Sequence, residues 1–359
     1  MTLLIFIIVL SILVFVHELG HFLAARRAGI RVDEFGFGFP PRVWGKKIGE
    51  TIYSINALPV GGFVRLHGED EAVAEDKERA YFFQGKFTRF LVVVAGVLMN
   101  FLLSILAFSI ISWHSGVPQE TGRVKVNAVA TGSPAEAADI QNGDVIVAVD
   151  GKQVVNSDEF IQEVGTKRGK EVELTLLKSN QETQKVSTVP RENPPVGEGA
   201  LGVTFSSKEF VKPPLYKRPF VSIREGVKEA VFWVQTTVGG LATVVSQVIQ
   251  GQKPEGIAGP IGIFQITGSV AKEGLLPLIS LIGILSVNLA VLNILPIPAL
   301  DGGRLLFIIV EAFFGRKVLP VFEKAAHAVG MILLLLLLIL VTLQDLSRIL
   351  GGFKLPGLE

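Results

Sequence analysis

Four stretches of the chain are apolar over about 20 residues, the length that a membrane-spanning helix needs. They run from residue 2 to 25, 90 to 113, 275 to 295 and 328 to 343. Residues 223–249 place apolar side chains at helical spacing with few charges, which predicts a helix on the outer membrane surface, with a fifth span as the alternative. The pattern predicts a polytopic α-helical membrane protein with about four transmembrane helices.

Two structured parts are predicted between the apolar stretches. In residues 28–88, glycines alternate with phenylalanines before β-prone stretches at 51–55 and 58–66, which predicts a small membrane-associated β element. Residues 114–195 combine strand patterns, glycine-rich turns and a helix-forming stretch at 157–165. They predict one inserted αβ domain.

Basic residues near the span ends predict the orientation, because lysine and arginine accumulate on the cytoplasmic side. Both short connections, between spans one and two and between spans three and four, carry such residues. They are Arg26, Arg27, Arg31, Arg42, Lys46, Lys47, Lys86 and Arg89 in the first connection, and Arg304, Arg316, Lys317 and Lys324 in the second. Residues 114–274 and both termini are therefore predicted to lie outside, although Arg348 and Lys354 in the tail are a contrary signal.

The predicted organisation follows from these patterns. The parts are transmembrane helix 1 at 1–27, a cytoplasmic membrane-associated β region at 28–88, transmembrane helix 2 at 89–113, an extracytoplasmic αβ domain at 114–195, a linker and surface amphipathic helix at 196–274, transmembrane helix 3 at 275–305, and a short cytoplasmic connection, transmembrane helix 4 and tail at 306–359.

The first apolar stretch has a cleaved signal peptide as its alternative. No lysine or arginine precedes it, while Arg26 and Arg27 follow it. This is the reverse of the charge order in a secretory signal, so the sequence favours a retained span.

Composition narrows the function classes. The chain has 359 residues, 49% of them hydrophobic, and its 34 basic and 33 acidic residues give a net charge of +1. No basic stripe with interleaved aromatic residues is present, so nucleic acid is not predicted as a partner. There are no cysteines, which excludes disulfides and cysteine-based zinc sites. Histidine and carboxylate would have to hold any zinc.

The first apolar stretch contains the ionisable motif His17-Glu18-Leu19-Gly20-His21. HExxH on a helix puts two imidazoles one turn apart on one face, the spacing that zinc needs, with the glutamate as a candidate general base. An ionisable residue at membrane depth costs about 2.5–3.5 kcal/mol on insertion scales, so membrane helices rarely carry one without a use. The motif therefore indicates a metal site inside the bilayer, although in a soluble helix it would often be accidental.

The third apolar stretch is predicted to break near its end. Pro296 and Pro298 cannot continue a regular helix, and Gly302-Gly303 frees the backbone. A break at membrane depth is expected only where it lines a cavity in the protein. Asp301 lies in this break, and it is the candidate third zinc ligand; a helix C-cap is its alternative role.

These residues together predict a catalytic metal site. His17, His21 and Asp301 would give two nitrogens and one oxygen, with a position left open for water. The metal would acidify that water, and Glu18 would take its proton and pass it to the leaving amine.

Polar residues elsewhere in the spans have weaker signals. Asn293 is the candidate to hold the substrate backbone or the developing oxyanion. Asn100 and Asn288 are predicted to bond between helices. The remaining histidines have no ligand-like neighbours and are predicted at surfaces or interfaces: His67, His114 and His327.

Two distant segments together resemble the site-2 protease family of intramembrane zinc metalloproteases. His17–His21 matches its HExxH motif, and Asn293–Gly303 matches its NxxPxPxLDG motif. Residues 35–40, 61–66, Asn100 and 259–262 are similar to the bacterial branch. The likeness is greatest to the proteases that regulate sigma factors and carry a PDZ domain inserted between spans two and three, and residues 132–152 look like a circularly permuted PDZ domain. There is room for one such domain, whereas some relatives carry two.

The resemblance implies roles for named residues. His17, His21 and Asp301 would bind Zn²⁺, Glu18 would be catalytic, and Asn293 would help to bind substrate. A β element would pair with an unwinding substrate through Gly61, Gly62, Phe63, Val64, Arg65 and Leu66.

The resemblance also implies a place and substrates. The protein would lie in a bacterial inner membrane among lipids, with its PDZ-like domain outside and its β region in the cytoplasm. It would cut single-span membrane proteins already trimmed by another protease, such as anti-sigma factors or remnant signal peptides. The PDZ-like domain would exclude intact substrates or dock their new ends.

Two other functions compete with this prediction. The first is a catalytically inactive membrane scaffold or adaptor that binds peptide tails through its PDZ-like domain and purifies without stoichiometric zinc. The second is a metalloprotease whose HExxH faces a soluble chamber. The latter usually has a downstream glutamate ligand on a helix, and no such helix stands out.

Overall fold

The computed structural model describes residues 1–69, 76–178, 181–195, 197–252, 258–315 and 320–350. The described residues divide into two compact units, one formed by Met1–Ser112 together with residues 219–350, and the other by Trp113–Arg218. The helices are α1 (Thr2–Arg27), α2 (Lys86–Ser115), α3 (Pro134–Ala137), α4 (Ser157–Gly165), α5 (Arg218–Ile249), α6 (Pro260–Glu273), α7 (Leu275–Ile294), α8 (Asp301–Phe314) and α9 (Pro320–Leu350). The strands are β1 (Val32–Ile48), β2 (Thr51–Leu66), β3 (Val117–Val129), β4 (Val145–Val149), β5 (Lys152–Gln153), β6 (Val172–Leu177), β7 (Thr183–Thr188) and β8 (Val203–Val211).

The first unit contains the helices that suit a membrane. Five described helices are long and apolar enough to cross one: α1, α2, α5, α7 and α9. Four of them coincide with the predicted spans, which confirms the predicted polytopic helical membrane fold. The fifth, α5, covers the segment predicted as a surface helix with a fifth span as the alternative.

Helix α5 packs across two of the predicted spans. Gly226 lies against Ile105 and Ser109 of α2, where a Cβ atom would meet the Ile105 carbonyl oxygen at 2.7 Å. Further along, Thr237 Oγ1 donates a hydrogen bond of 2.6 Å to Asn288 Oδ1 of α7. The prediction that Asn288 bonds between helices is confirmed.

The predicted break separates α7 from α8. Helix α7 ends at Ile294, and α8 begins at Asp301. Between them Ala299 has a φ of 84°, a backbone conformation that residues other than glycine rarely adopt. The C-cap alternative for Asp301 is wrong, because this residue lies in the first turn of a new helix, where its negative charge suits the helix dipole.

The β region is a sheet that lies along α1. Residues 34–37 pair with 62–65 on one side and with 52–55 on the other, and 42–48 pair with 51–56. The segment 62–66 is therefore an edge of this sheet within the described part of the chain.

Several contacts hold that sheet against α1. Ser11 Oγ donates to the Pro59 carbonyl at 3.0 Å, and a Cβ atom at Gly61 would meet Val14 at 3.4 Å. The Phe22 and Phe35 rings stack with their centroids 4.7 Å apart. Strand β2 thus follows the spanning helix towards its HExxH motif.

A buried ion pair ties α8 to α2. The guanidinium of Arg89 contacts the carboxylate of Glu311, and the two side chains are 3% and 1% exposed. Lys86 Nζ also donates to the Glu311 carbonyl at 2.7 Å. Removing one partner of such a pair leaves an uncompensated buried charge, so these contacts constrain the helix that begins at Asp301.

The second unit is an αβ domain, here called the PDZ-like domain (Trp113–Arg218). Its main strands follow the order β7-β6-β4-β3-β8, and β5 pairs with β4. Ile146 and Val149 of β4 and alternate residues of β6 join Phe160 of α4 in its core. The sheet continues beyond the boundary drawn at residue 195, because β8 pairs with β3 from Val203 to Val211. Strand β8 is not predicted from the sequence, because the Pro- and Gly-rich residues before it resemble a linker.

Candidate metal and peptidase site

Helix α1 presents both histidines of HExxH to the protein interior. His17 and His21 are 7% and 8% exposed. Their Nε2 atoms are 3.2 Å apart, and the two rings lie edge to face. The spacing of four residues therefore produces the facing imidazole pair that the sequence predicts.

The start of α8 brings a carboxylate to this pair. Asp301 Oδ2 lies 2.9 Å from His17 Nε2 and 3.2 Å from His21 Nε2. Among the described residues, these three form the group of histidine and carboxylate side chains that could hold a metal ion. The structure thus joins two segments that are 280 positions apart in sequence, from His21 to Asp301.

The geometry of the three atoms fits zinc. Tetrahedral zinc with bonds of about 2.0–2.1 Å separates its ligand atoms by about 3.3 Å. The observed triangle has edges of 2.9, 3.2 and 3.2 Å. Asp301 Oδ2 is also buried without an aligned hydrogen bond, despite both nearby nitrogens. A cation between the three atoms would satisfy this oxygen, so the residues present fit a zinc ion.

Groups on α2 contact the Nδ1 atom of each imidazole, on the side of the ring away from the metal triangle. His21 Nδ1 lies 2.8 Å from the Val92 carbonyl, so Nδ1 carries the proton and the Nε2 lone pair faces the carboxylate. The Asn100 amide lies 3.3 Å from His17 Nδ1. We orient this amide with its oxygen towards His17, because Oδ1 otherwise stays buried without a hydrogen-bond partner. The prediction that Asn100 bonds between helices is confirmed.

Glu18 lies beside the triangle and contacts the β sheet. Its Oε2 accepts a hydrogen bond of 3.1 Å from the backbone N–H of Val64. Glu18, His21 and Asp301 line one cavity of about 430 Å³. Asn293 is buried, with its Nδ2 3.5 Å from His17 Nε2. All five residues that the sequence singles out around the metal are thus close together.

The predicted β-element residues divide into two groups. Four of them line the cavity: Phe63, Val64, Arg65 and Leu66. Gly61 and Gly62 lie just before it, where Gly61 has a φ of 76° and a Cβ atom at Gly62 would lie 3.8 Å from Glu18 Cγ. Gly61 thus needs glycine for its positive φ, whereas a Cβ atom at Gly62 would press on the Gly36 carbonyl oxygen of the neighbouring strand at 3.0 Å.

Two glycines that sequence reasoning missed allow α1 and α2 to meet at the motif. A Cβ atom at Gly20 would overlap the Ala95 carbonyl oxygen. One at Gly96 would overlap His21 Nε2 and lie 2.8 Å from His17 Cε1. The small residue at 96, one turn before Asn100 in an apolar helix, is the signal that could have revealed this contact.

Replacing Gly96 by Ala is therefore expected to displace both imidazoles. We expect zinc affinity to fall by at least about 10-fold, the size of effect found when groups that orient metal ligands are lost. Metal content after dialysis against a zinc buffer measures it. Gly239→Ala is the matched control, since a Cβ atom in that helical position meets nothing within 4 Å. Unchanged zinc affinity in Gly96→Ala would contradict the described contact.

His327 is a further residue of the cavity that the sequence places only at a surface or interface. Its Nδ1 accepts a hydrogen bond of 2.9 Å from the backbone N–H of the strained Ala299. Gly330, one turn later on α9, lies against Pro298, because a Cβ atom there would overlap the Pro298 carbonyl oxygen. Helix α9 thus holds the break that presents Asp301. No local pattern around His327 signals this long-range contact.

The chain is similar to known metalloproteases over nearly its whole length. Residues 5–337 match Peptidase family M50. A Clostridium perfringens protein is 33% identical over 337 residues, covering 94% of this chain and 96% of that protein. The zinc metalloprotease RasP of Geobacillus kaustophilus is 31% identical over 423 aligned residues, covering 96% of this chain and 97% of RasP.

Among solved structures, the PDZ domain of an SdrC-like protein from Listeria innocua is 25% identical. The match covers 23% of this chain and 92% of that domain, with a TM-score of 0.21.

Proposed function

The chain belongs to peptidase family M50 and is a zinc metalloprotease, and we propose that it hydrolyses peptide bonds within membrane-spanning segments of other proteins. One observation carries the proposal: His17, His21 and Asp301 meet around one point. Both histidines belong to a helix apolar enough to span a membrane. A site at that depth suits a peptide bond that is itself in the bilayer.

The residues of the site take complementary roles. His17, His21 and Asp301 would hold zinc through Nε2, Nε2 and Oδ2. When bound, zinc supplies Lewis-acid chemistry that makes water nucleophilic near neutral pH. Glu18 takes the proton of the attacking water and gives it to the leaving amine. Asn293, with its amide nitrogen 3.5 Å from His17 Nε2, holds the oxygen of the scissile carbonyl.

The edge segment 62–66 holds the substrate as an added strand. A peptide bond inside a helix is shielded by its own turns, so the substrate must unwind before attack. Its freed backbone groups then need partners, because water is scarce at this depth. Pairing with a sheet edge supplies them. Strand residues Phe63 to Leu66 line the same cavity as Glu18, which supports this role.

The substrates are single-span proteins that another protease has already shortened, such as membrane-bound anti-sigma factors or remnant signal peptides. The PDZ-like domain excludes intact substrates or docks the new ends of trimmed ones. A groove between α4 and β8 supports docking, since Phe160, Val164, Leu201 and Phe205 give it an apolar lining. The protein works in a bacterial inner membrane, with this domain outside and the β region in the cytoplasm.

Cleavage in proteoliposomes tests the proposal. Two substrates share one transmembrane segment, one with a short outer tail and the other with a folded outer domain. We expect the short substrate to be cut at least about tenfold faster, as a difference in kcat/KM. EDTA should stop cleavage, and zinc should restore it. Equal rates for the two substrates would contradict the substrate class, and no zinc-dependent cleavage of either would contradict the activity.

A further inference from the structure

Two carboxylates cover the sheet edge at the site. The Val64 N–H donates to Glu18 Oε2 at 3.1 Å, and the Leu66 N–H donates to Glu69 Oε2 at 3.3 Å. An exposed edge strand carries backbone groups that must find partners, and proteins protect such edges from unwanted pairing. Here the partners of two edge amides are acidic side chains from outside the sheet.

The spacing of these amides matches strand pairing. Val64 and Leu66 are two residues apart, so their N–H groups point to the same side of the strand. The partner of residue 64 within the sheet is Phe35, on the opposite side. An added strand would offer its carbonyl oxygens to these same N–H groups. The carboxylates of Glu18 and Glu69 therefore occupy the positions that substrate carbonyls would take.

The two carboxylates are anchored to the metal-binding helices. Glu18 lies between the histidines in the sequence of α1. Glu69 follows the end of β2, is 12% exposed, and its carboxylate contacts the guanidinium of Arg304. Arg304 is three residues after Asp301 on α8. Glu69 thus links the substrate edge to the helix that supplies the third ligand.

We propose that Glu69 is a substrate-selecting residue and that a segment pairs with this edge only by displacing both carboxylates. The inference rests on the proposed function. A segment that stays helical offers no pair of carbonyls at strand spacing and leaves both carboxylates in place. An extended segment replaces them, which releases Glu18 from Val64 to act as the base beside His17 and His21. Substrate pairing and base release are then one event.

Peptide binding to the full-length, EDTA-treated protein tests the proposal without relying on hydrolysis. The probe is an N-acetylated, C-amidated heptapeptide of alternating valine and threonine. A carboxylate competes for an N–H more strongly than a neutral amide does. We therefore expect the Kd to fall in the order wild type, Glu69→Gln, Glu69→Ala, with a total change of roughly three- to tenfold.

Glu50→Gln is the control. Glu50 is an exposed carboxylate paired with Arg79, so its replacement should leave the Kd unchanged. Amide hydrogen exchange is the second measurement, and it does not depend on peptide affinity. In Glu69→Gln we expect faster exchange at Leu66 and unchanged exchange at Val64, with both amides protected again when the peptide binds.

The proposal is overturned if neither Glu69 variant binds the peptide with a lower Kd than the wild type. It is also overturned if amide exchange at Leu66 is the same in wild type and Glu69→Gln. Because zinc is absent from these measurements, their outcome is separate from that of the proposed function. A zinc-loaded protein that cuts no membrane substrate would refute the function and leave the edge contacts as measured.

Discussion

Replacing Glu18 by Gln is expected to abolish peptide hydrolysis while one zinc ion per chain remains bound. Glu18 contributes none of the three atoms of the metal triangle. Its carboxylate instead accepts a hydrogen bond of 3.1 Å from the Val64 N–H. Glutamine keeps the shape of the side chain but cannot accept a proton at neutral pH. Loss of general base catalysis costs about 10²–10⁴-fold in rate.

Cleavage rate and zinc content, measured on the same preparation, check this expectation. Glu50→Gln, the exposed control, should retain both. A Glu18→Gln protein that cuts at the wild-type rate would refute the assigned base. A Glu18→Gln protein that loses zinc would show that the glutamate acts as a ligand instead.

Replacing Asp301 by Ala is expected to remove the metal. Its Oδ2 is one corner of the metal triangle and lies 2.9 and 3.2 Å from the two imidazole Nε2 atoms. Loss of a group that merely orients a ligand costs about 10–100-fold in metal affinity, so loss of a ligand itself should exceed roughly 100-fold. Cleavage should disappear with the zinc.

Asp158→Ala is the matched control for this variant. Asp158 also lies in the first turn of a helix, so its loss reproduces the change in helix-dipole interaction without touching the metal triangle. It should leave zinc content unchanged. Retention of stoichiometric zinc by Asp301→Ala would contradict the role of this carboxylate.

Much of the membrane unit could be predicted because its signals are local. The length of the apolar stretches is enough to predict the spans, and Pro296 and Pro298 predict the break between α7 and α8. HExxH places two imidazoles on one face because a helix repeats every 3.6 residues. Asp301 is predicted from its place beside a helix break at membrane depth, and the structure brings it to the histidines.

What the sequence left open depends on contacts between distant segments. Leu66 and Glu69 give no local hint that a carboxylate covers a strand edge, and Val64 is separated from Glu18 by 46 positions. The bond from Ala299 to His327 joins two elements whose own patterns predict only a loop and a span. Strand β8 has no clear signal in the sequence, because the Pro- and Gly-rich residues before it resemble a linker and its partner β3 lies about 80 residues earlier, as in the pair Val126 and Phe205.

Zinc K-edge X-ray absorption of the purified, full-length protein is the most direct test of the central claim. We predict one zinc per chain, with two imidazole nitrogens and a carboxylate oxygen at about 2.0–2.2 Å, and the loss of bound zinc in Asp301→Ala. A wild-type protein that binds no stoichiometric zinc, or a zinc shell without two imidazoles, would contradict a metal site built from α1 and α8.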